Sequence, residues 1–416
     1  MATINFLVPP LFATKFSGGL WCIMQYASGL ADLGHEVTIT PILPGPTPEW
    51  APSNIRINSI EKADLHAKLR TELRKTLGTA IRLLLKREPI DSAKNRLRSL
   101  ANAILIPYNT ACPYEVRRAI SLSYSSLIQK QAEVTVATSY ETAVIAHLYG
   151  TGEKYYFLQH YEPLFKDDKN NPILAGFEAE ASYHLPLKQI ANSTWLKNEV
   201  GKITPQKSIF LCNNAINHDV FHGEPKLAAE TDTVTVISYG GRDAVWKGFH
   251  DMAHGMRIAR ERMPQKNIRW LVYGDALLPP DNDIASYEPL GFLNPERLAE
   301  AYRSADLLLS ASWYESFPLF PLEAMACGIP TITTAYGTED FAKHGLTAEI
   351  CEAKNSESIA NSLIHLISDT NYRNQLAING HRISKDFTWE RSFAQMEGIL
   401  TGKPLEPRAA KVQHTI

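Results

Sequence analysis

The feature that most limits the fold of this chain is an alternation it runs through twice: a short apolar run, a loop, then a stretch with helical spacing. Ile4-Asn5-Phe6-Leu7-Val8 leads into a loop ending in Ser17-Gly18-Gly19. From Leu20 to Leu33 the apolar residues Leu20, Ile23, Met24, Ala27, Leu30 and Ala31 then recur at helical intervals. Gly34 stands where a left-handed C-cap is expected, and Val37-Thr38-Ile39-Thr40 reads as the next strand. Further runs follow at Val134–Ala137, Tyr155–Leu158, Gln189–Ala191 and Ile209–Cys212. The alternation restarts at Val234-Thr235-Val236-Ile237 and passes through Trp270–Tyr273, a helix around Pro295–Arg303, Leu307–Leu309, a helix at Leu322–Ala326 and Thr331–Thr333. Apolar strands separated by helices predict α/β domains with parallel sheets, which bind ligands beyond the carboxyl ends of their strands.

A chain of 416 residues suits two such domains, each of roughly 200 residues. His222-Gly223-Glu224-Pro225 breaks the pattern before an acidic, Thr-rich linker. The expected division is therefore 1–222 and 223–388, with a helix at 389–403 packing back on the first domain and a frayed polar tail from Gly402 to Ile416. With 44% hydrophobic and 21% charged residues there is material for two cores, and a net charge of −2 gives no reason to expect nucleic acid as a partner. Cys22, Cys112, Cys212, Cys327 and Cys351 are dispersed without a CxxC pair, as reduced, buried thiols of a cytoplasmic protein are. No charged region precedes the first apolar run and Pro9-Pro10 ends it, so it reads as a strand and not a secretory signal. No window approaches a spanning helix.

Residues 61–118 stand apart. Leu65, Leu69, Leu73, Leu77, Ile81 and Leu84 keep helical spacing among Lys68, Arg70, Arg74, Lys75, Arg82, Lys86 and Arg87. Such a basic amphipathic helix suits peripheral contact with an anionic membrane face. It equally suits an insertion that packs its leucines on the first domain, and periodicity leaves both readings open.

The segment Glu315-Ser-Phe-Pro-Leu-Phe-Pro-Leu-Glu323 carries the most chemistry. Pro321 fits the first turn of a helix, which puts Glu323 within that turn and Glu315 in the loop before it. Two carboxylates so placed can each take a pair of vicinal hydroxyls, while helix N-terminal amides face an anion. Alone, this is no more than an acidic helix cap. Gly240-Gly241-Arg242-Asp-Ala-Val-Trp-Lys247-Gly248, however, begins where the first strand of the second half ends. Arg242 and Lys247 flank a turn into a helix, so both cations can reach one pyrophosphate. A sugar joined to a diphosphate asks for both elements.

Taken together, Gly18-Gly19, His160, Asn214, Arg242/Lys247 and Glu315…Glu323 resemble the retaining glycosyltransferases of family four, from Phe6 to about Ile399. Cys327-Gly328-Ile329-Pro330 continues the E-x7-E element in the usual way. The resemblance implies a GT-B fold, two Rossmann-like domains facing across a deep cleft, and no metal or other cofactor. Tyr155-Tyr-Phe-Leu-Gln-His-Tyr-Glu-Pro163 and Tyr336-Gly-Thr-Glu-Asp-Phe341 look most like bacterial rhamnosyltransferases that use dTDP-L-rhamnose. UDP- and GDP-sugars, or a non-catalytic binding protein, are the alternatives.

The resemblance also implies roles. Glu323 would hold the nucleoside sugar, and Gly241, Arg242 and Lys247 the diphosphate. Glu315 would contact the donor sugar within a loop that runs through Ser316, Phe317, Pro318 and Leu319. Gly18 and Gly19 would let backbone approach the donor, Gly291-Phe292 would meet the base, and His160 would face the reacting carbon. Two positions depart from the family: Ala215 follows the asparagine where glycine is frequent, and Pro318 replaces a common glycine, so a donor N–H must come from elsewhere. The acceptor would be a glycan or lipid-linked sugar in cell-surface polysaccharide synthesis.

Asp281-Asn282-Asp283 spells a metal-binding D-x-D but sits in a Pro-rich loop and reads as a solvated turn. Gly18-Gly19 falls short of G-x-G-x-x-G, which argues against a nicotinamide dehydrogenase. No lysine site for pyridoxal phosphate is evident, which argues against a glycan phosphorylase.

Overall fold

The structure, a computed structural model, describes residues 1–13, 17–43, 45–58, 121–122, 125, 131–164, 174–205, 208–227, 232–241, 245–275, 277 and 285–402. The basic segment 61–118, Cys112, Arg242, the Asp281–Asp283 turn and residues 403–416 lie outside that set.

The first half runs β1 (Thr3–Val8), α1 (Gly18–Asp32), β2 (Glu36–Pro41), β3 (Arg56–Ile57), β4 (Val134–Ala137), α2 (Tyr140–Tyr149), β5 (Glu153–Leu158), α3 (Leu174–Ser182), β6 (Lys188–Ala191), α4 (Thr194–Gly201) and β7 (Phe210–Leu211). Its sheet has the order β3-β2-β1-β4-β5-β6-β7, with β1 parallel to both β2 and β4. Ile4, Phe6, Val8 and Ile39 of the strands and Met24 and Leu30 of α1 are buried, as the apolar spacing predicts. Gly34 takes φ +90 directly after the helix.

The second half runs β8 (Thr233–Tyr239), α5 (Phe249–Arg262), β9 (Asn267–Tyr273), β10 (Glu288–Gly291), α6 (Pro295–Ser304), β11 (Leu307–Ser310), α7 (Leu319–Ala326), β12 (Thr331–Thr333), β13 (Glu349–Ile350), α8 (Ser356–Ser368), α9 (Thr370–Ser384) and α10 (Trp389–Thr401). The sheet order is β10-β9-β8-β11-β12-β13, and β8 pairs parallel with β9 on one side and β11 on the other. Both faces are covered. Val236, Trp270 and Leu309 pack with Phe249, Met252, Met256 and Leu363. Ile237, Leu271 and Leu308 pack with Tyr302, Leu322, Met325 and Phe341. This is why β11, Leu307-Leu308-Leu309, reads as a continuous apolar run and not as an alternating one.

Two compact units result, Met1–Phe157 with Glu162–Gln189, and Leu158–Tyr161 with Ile190–Ile416. The units divide at Gln189 and Ile190, upstream of the 222/223 junction expected from the sequence. The segment before 222 is tied to elements that follow it. Thr194 donates to Asp340 from its backbone N–H at 2.8 Å, and Ile216 bridges to Thr388. Helix α10 is held by the same segment, since Gln395 donates to the Leu211 carbonyl at 2.6 Å and Ser392 to that of Asn213 at 2.8 Å. Among the described residues, no helix is long and apolar enough to cross a membrane. Cys22, Cys212, Cys327 and Cys351 are buried free thiols, and burial pushes those of Cys327 and Cys351 up to about 12.

Candidate nucleotide-sugar site

In the second unit the strand order reverses about β8, and the loops leaving the carboxyl ends of β8 and β11 flank the switch point where open α/β sheets bind ligands. The β8 loop carries Gly240 and Gly241 and then forms a short 3-10 turn over Val245–Lys247. The β11 loop carries Trp313 to Pro318. The two are bonded to each other: the Trp313 N–H donates to the Trp246 carbonyl at 2.7 Å, and the rings of Trp246 and Tyr314 stack with centroids 6.4 Å apart. Gly248 caps α5 at φ +72, where a Cβ would fall 2.1 Å from the Ala311 carbonyl oxygen. A side chain at 248 would force these loops apart.

Lys247 lies in this junction and forms an ion pair with Glu315. Its ammonium also sits 5.6 Å from the centre of the Phe320 ring. Phe320 in turn packs on Tyr239 and Tyr273 at the ends of β8 and β9. The expected cation and the expected carboxylate, 68 residues apart, are thus brought together. Arg242, the other expected cation, lies outside the described residues.

Helix α7 begins at Leu319, not Leu322, because Pro318 with φ −71 and ψ 123 takes the N-cap position. Pro321 falls in the first turn, where its missing N–H costs nothing. Glu323 is then the fifth helical residue, which corrects the expectation that it lies in the first turn. Its backbone carbonyl already accepts from Cys327 at 3.0 Å, so only the side chain is available to a ligand. That side chain is buried, Oε2 has no hydrogen-bond partner, and burial raises the carboxyl to about 8. A buried carboxyl oxygen without a donor is expensive, and a ligand hydroxyl is a donor of the kind that would satisfy it.

His160 belongs to the second unit, with its ring edge-on to Tyr314 at 5.8 Å. Burial lowers its pKa, Glu315 opposes that and Lys247 adds to it; the imidazole is neutral at neutral pH. Beside it the Tyr161 N–H donates to Ser316 Oγ at 3.2 Å, which fixes the 158–161 strip to the Glu315 loop. Phe317 is buried against Phe341 and Phe387, so it anchors the loop from below. Gly291 takes φ +67 at the end of β10, its carbonyl accepts from Gly274, and Phe292 beside it is 71% exposed. Asn214 is buried with Oδ1 unpaired.

In the first unit Gly18 and Gly19 are the first two residues of α1, capped by Ser17, whose side chain accepts from Leu20 N at 3.3 Å. Both are exposed, and a Cβ at 18 would meet nothing within 4 Å. Sequence reasoning passed over the aromatic frame of Trp246, Tyr314, Phe320 and Tyr239. Aromatic residues next to Lys247 and Glu315 were the available signal, but composition does not distinguish a frame from a core.

Residues 224–382 match the family model described as Glycosyl transferases group 1. A D-inositol 3-phosphate glycosyltransferase of Rhodococcus jostii is 31% identical over 172 residues, 38% of this chain and 38% of that protein. The chain therefore aligns with about two fifths of that relative's length. Among solved structures, sucrose-phosphate synthase from Thermosynechococcus elongatus superposes with a TM-score of 0.66 at 16% identity, covering 97% of this chain and 99% of that one. Anabaena HepE in complex with UDP and glucose gives 0.61 at 15% identity, covering 97% and 100%. The two parallel-sheet α/β domains are those of the GT-B fold.

Proposed function

We propose that this protein is a glycosyltransferase that takes a sugar from a nucleoside diphosphate. The observation that carries this reading is the Lys247–Glu315 pair at the β8/β11 switch point, with the undonated Glu323 carboxyl on the helix that follows. The family match over 224–382 contains all three residues and supports it. A diphosphate offers Lys247 two formal negative charges in place of one, so the cation transfers to the ligand and frees Glu315 for the donor sugar. Glu323 accepts the ribose hydroxyls.

In the reaction, the bond from the sugar's anomeric carbon to the diphosphate oxygen breaks and a bond to the acceptor oxygen forms. The acceptor's proton passes to the departing phosphate oxygen. Lys247, with Arg242, neutralises the charge that develops there, the role a metal fills in other transferases. Attack from the face the diphosphate leaves retains configuration. Neutral His160 faces the sugar as a hydrogen-bonding group.

For the donor, the look of Tyr155–Pro163 and Tyr336–Phe341 favours dTDP-L-rhamnose, while the UDP bound in the Anabaena HepE complex favours a uridine nucleotide. The acceptor is a glycan or lipid-linked glycan, and membrane contact through the basic segment 61–118 belongs to the same reading. A thermal-shift series with dTDP, UDP, GDP, CDP and ADP, each without and with Mg2+, tests the reading. A nucleotide at about a hundred times its Kd adds ~2.7 kcal/mol, enough for a shift of several degrees. Stabilisation without metal by one nucleotide identifies the donor class; no stabilisation, or stabilisation only with Mg2+, removes the diphosphate role of Lys247.

A further inference from the structure

One group of side chains beside this site has no part in the chemistry above. Tyr161, Trp195 and Tyr336, all in the second unit, form a row: the Tyr161 and Trp195 rings are edge-on at 6.1 Å, and those of Trp195 and Tyr336 at 6.2 Å. None is buried, and Tyr336 is 40% exposed. They come from three separate places in the chain, the loop after β5, the first turn of α4 and the loop after β12.

Each is held by polar anchoring below it. Asp340 accepts from Thr194 N at 2.8 Å, Thr194 Oγ1 at 2.5 Å and Asn213 Nδ2 at 3.0 Å, which ties the Tyr336 loop to the start of α4. Gly337, at φ +73, lies so close to the Glu315 and Ser316 carbonyl oxygens that a Cβ would come within 2.5 and 2.6 Å of them. Tyr161 is fixed to Ser316 through its backbone. The row is therefore rigid and joined at two points to the loop that carries Glu315.

Large aromatic rings held half-exposed by a satisfied polar layer are a costly way to build surface, since the same fold could bury or replace them. Pyranose rings present an apolar face of C–H bonds that packs on such rings, while their hydroxyls stay in water. We infer that Tyr161, Trp195 and Tyr336 bind the acceptor glycan, an inference that rests on the glycosyltransferase reading for the word acceptor but not for glycan binding itself. The row spans two ring-to-ring steps, more than the single sugar of a donor covers. It also starts next to His160 and at the hydrogen bond to Ser316, the sugar end of the donor site. The occupant is thus a chain of at least two pyranoses whose terminal unit reaches Glu315.

The test titrates wild type, Y336A and W195A with maltotriose, cellotriose, chitotriose and a rhamnose trisaccharide, following ligand NMR saturation transfer, and titrates each protein with UDP and dTDP in parallel. One trisaccharide is expected to bind wild type more tightly than its monosaccharide. Both variants should weaken it by roughly five- to tenfold, with the nucleotide Kd unchanged. Tyr336 is exposed enough that its loss leaves the fold intact, so Y336A decides the matter if W195A is unstable. The inference is overturned if no trisaccharide binds wild type, or if Y336A binds as wild type does. Trisaccharide binding without any nucleotide binding would keep the platform and sink the transferase reading.

Discussion

Glu323→Gln exposes the electrostatic state of the site without changing its shape. The Glu323 carboxyl is buried, with one oxygen lacking a donor, and burial raises it to about 8, whereas in the unfolded chain it titrates near 4.5. Between those values the folded chain keeps a proton that the unfolded chain has released. Unfolding free energy then falls with rising pH, by about 1 kcal/mol per pH unit for one group. The contribution is complete below the unfolded value and gone once pH passes the folded one. The amide of the E323Q variant does not titrate, so the wild type should lose about 2–3 kcal/mol relative to it between about pH 5.5 and 7.5. Urea unfolding followed by tryptophan fluorescence reads this, with Trp270 buried in the second unit's core. A saturating nucleotide diphosphate should flatten the slope, because ribose hydroxyls donating to Glu323 favour its ionised form. A wild-type to E323Q difference that stays constant across that pH range would refute the reasoning, since the carboxyl would then be ionised in the folded protein.

Glu162 is a second case of the same sign: burial raises it to about 8 although Tyr156 and Tyr140 donate to it at 2.7 and 2.9 Å. E162Q should remove about 1 kcal/mol per pH unit from the wild-type slope over the same range in the same urea assay. K247M removes the cation and leaves Glu315 unpaired, so kcat/KM for the nucleotide sugar should fall by about 10²–10³ in a donor-hydrolysis or transfer assay, with the melting temperature little changed. G337A places a Cβ against two carbonyl oxygens at a positive φ; it should cost about 2–3 kcal/mol of stability and weaken nucleotide binding by displacing the Glu315 loop.

The sequence by itself determined the α/β architecture. Val134–Ala137 and Thr331–Thr333 are strands at the residues their apolar runs mark. The helix expected from Leu20 is present and begins two residues earlier, at Gly18, because Ser17 caps it. These are local outcomes, set by side-chain period and capping chemistry, and local outcomes survive being read one segment at a time. Lys247, Glu315 and Glu323 stood out only in combination, because an acidic helix cap or a solvated cation is common by itself, whereas both at the same end of one sheet are not.

Tertiary structure decided what no window of sequence holds. Pro318 could have been read as a loop residue or a cap, and only the packed α7 shows the cap and moves Glu323 into the second turn. The compact units divide at 189/190 because Asp340, Thr388 and Ser392 reach back to Thr194, Ile216 and Asn213 across more than a hundred residues. The pairing of Lys247 with Glu315, the raised carboxyl of Glu323 and the row of Tyr161, Trp195 and Tyr336 have the same origin. Each depends on the distance between residues far apart in the chain, or on the water excluded from between them, and both quantities exist only once the chain has folded.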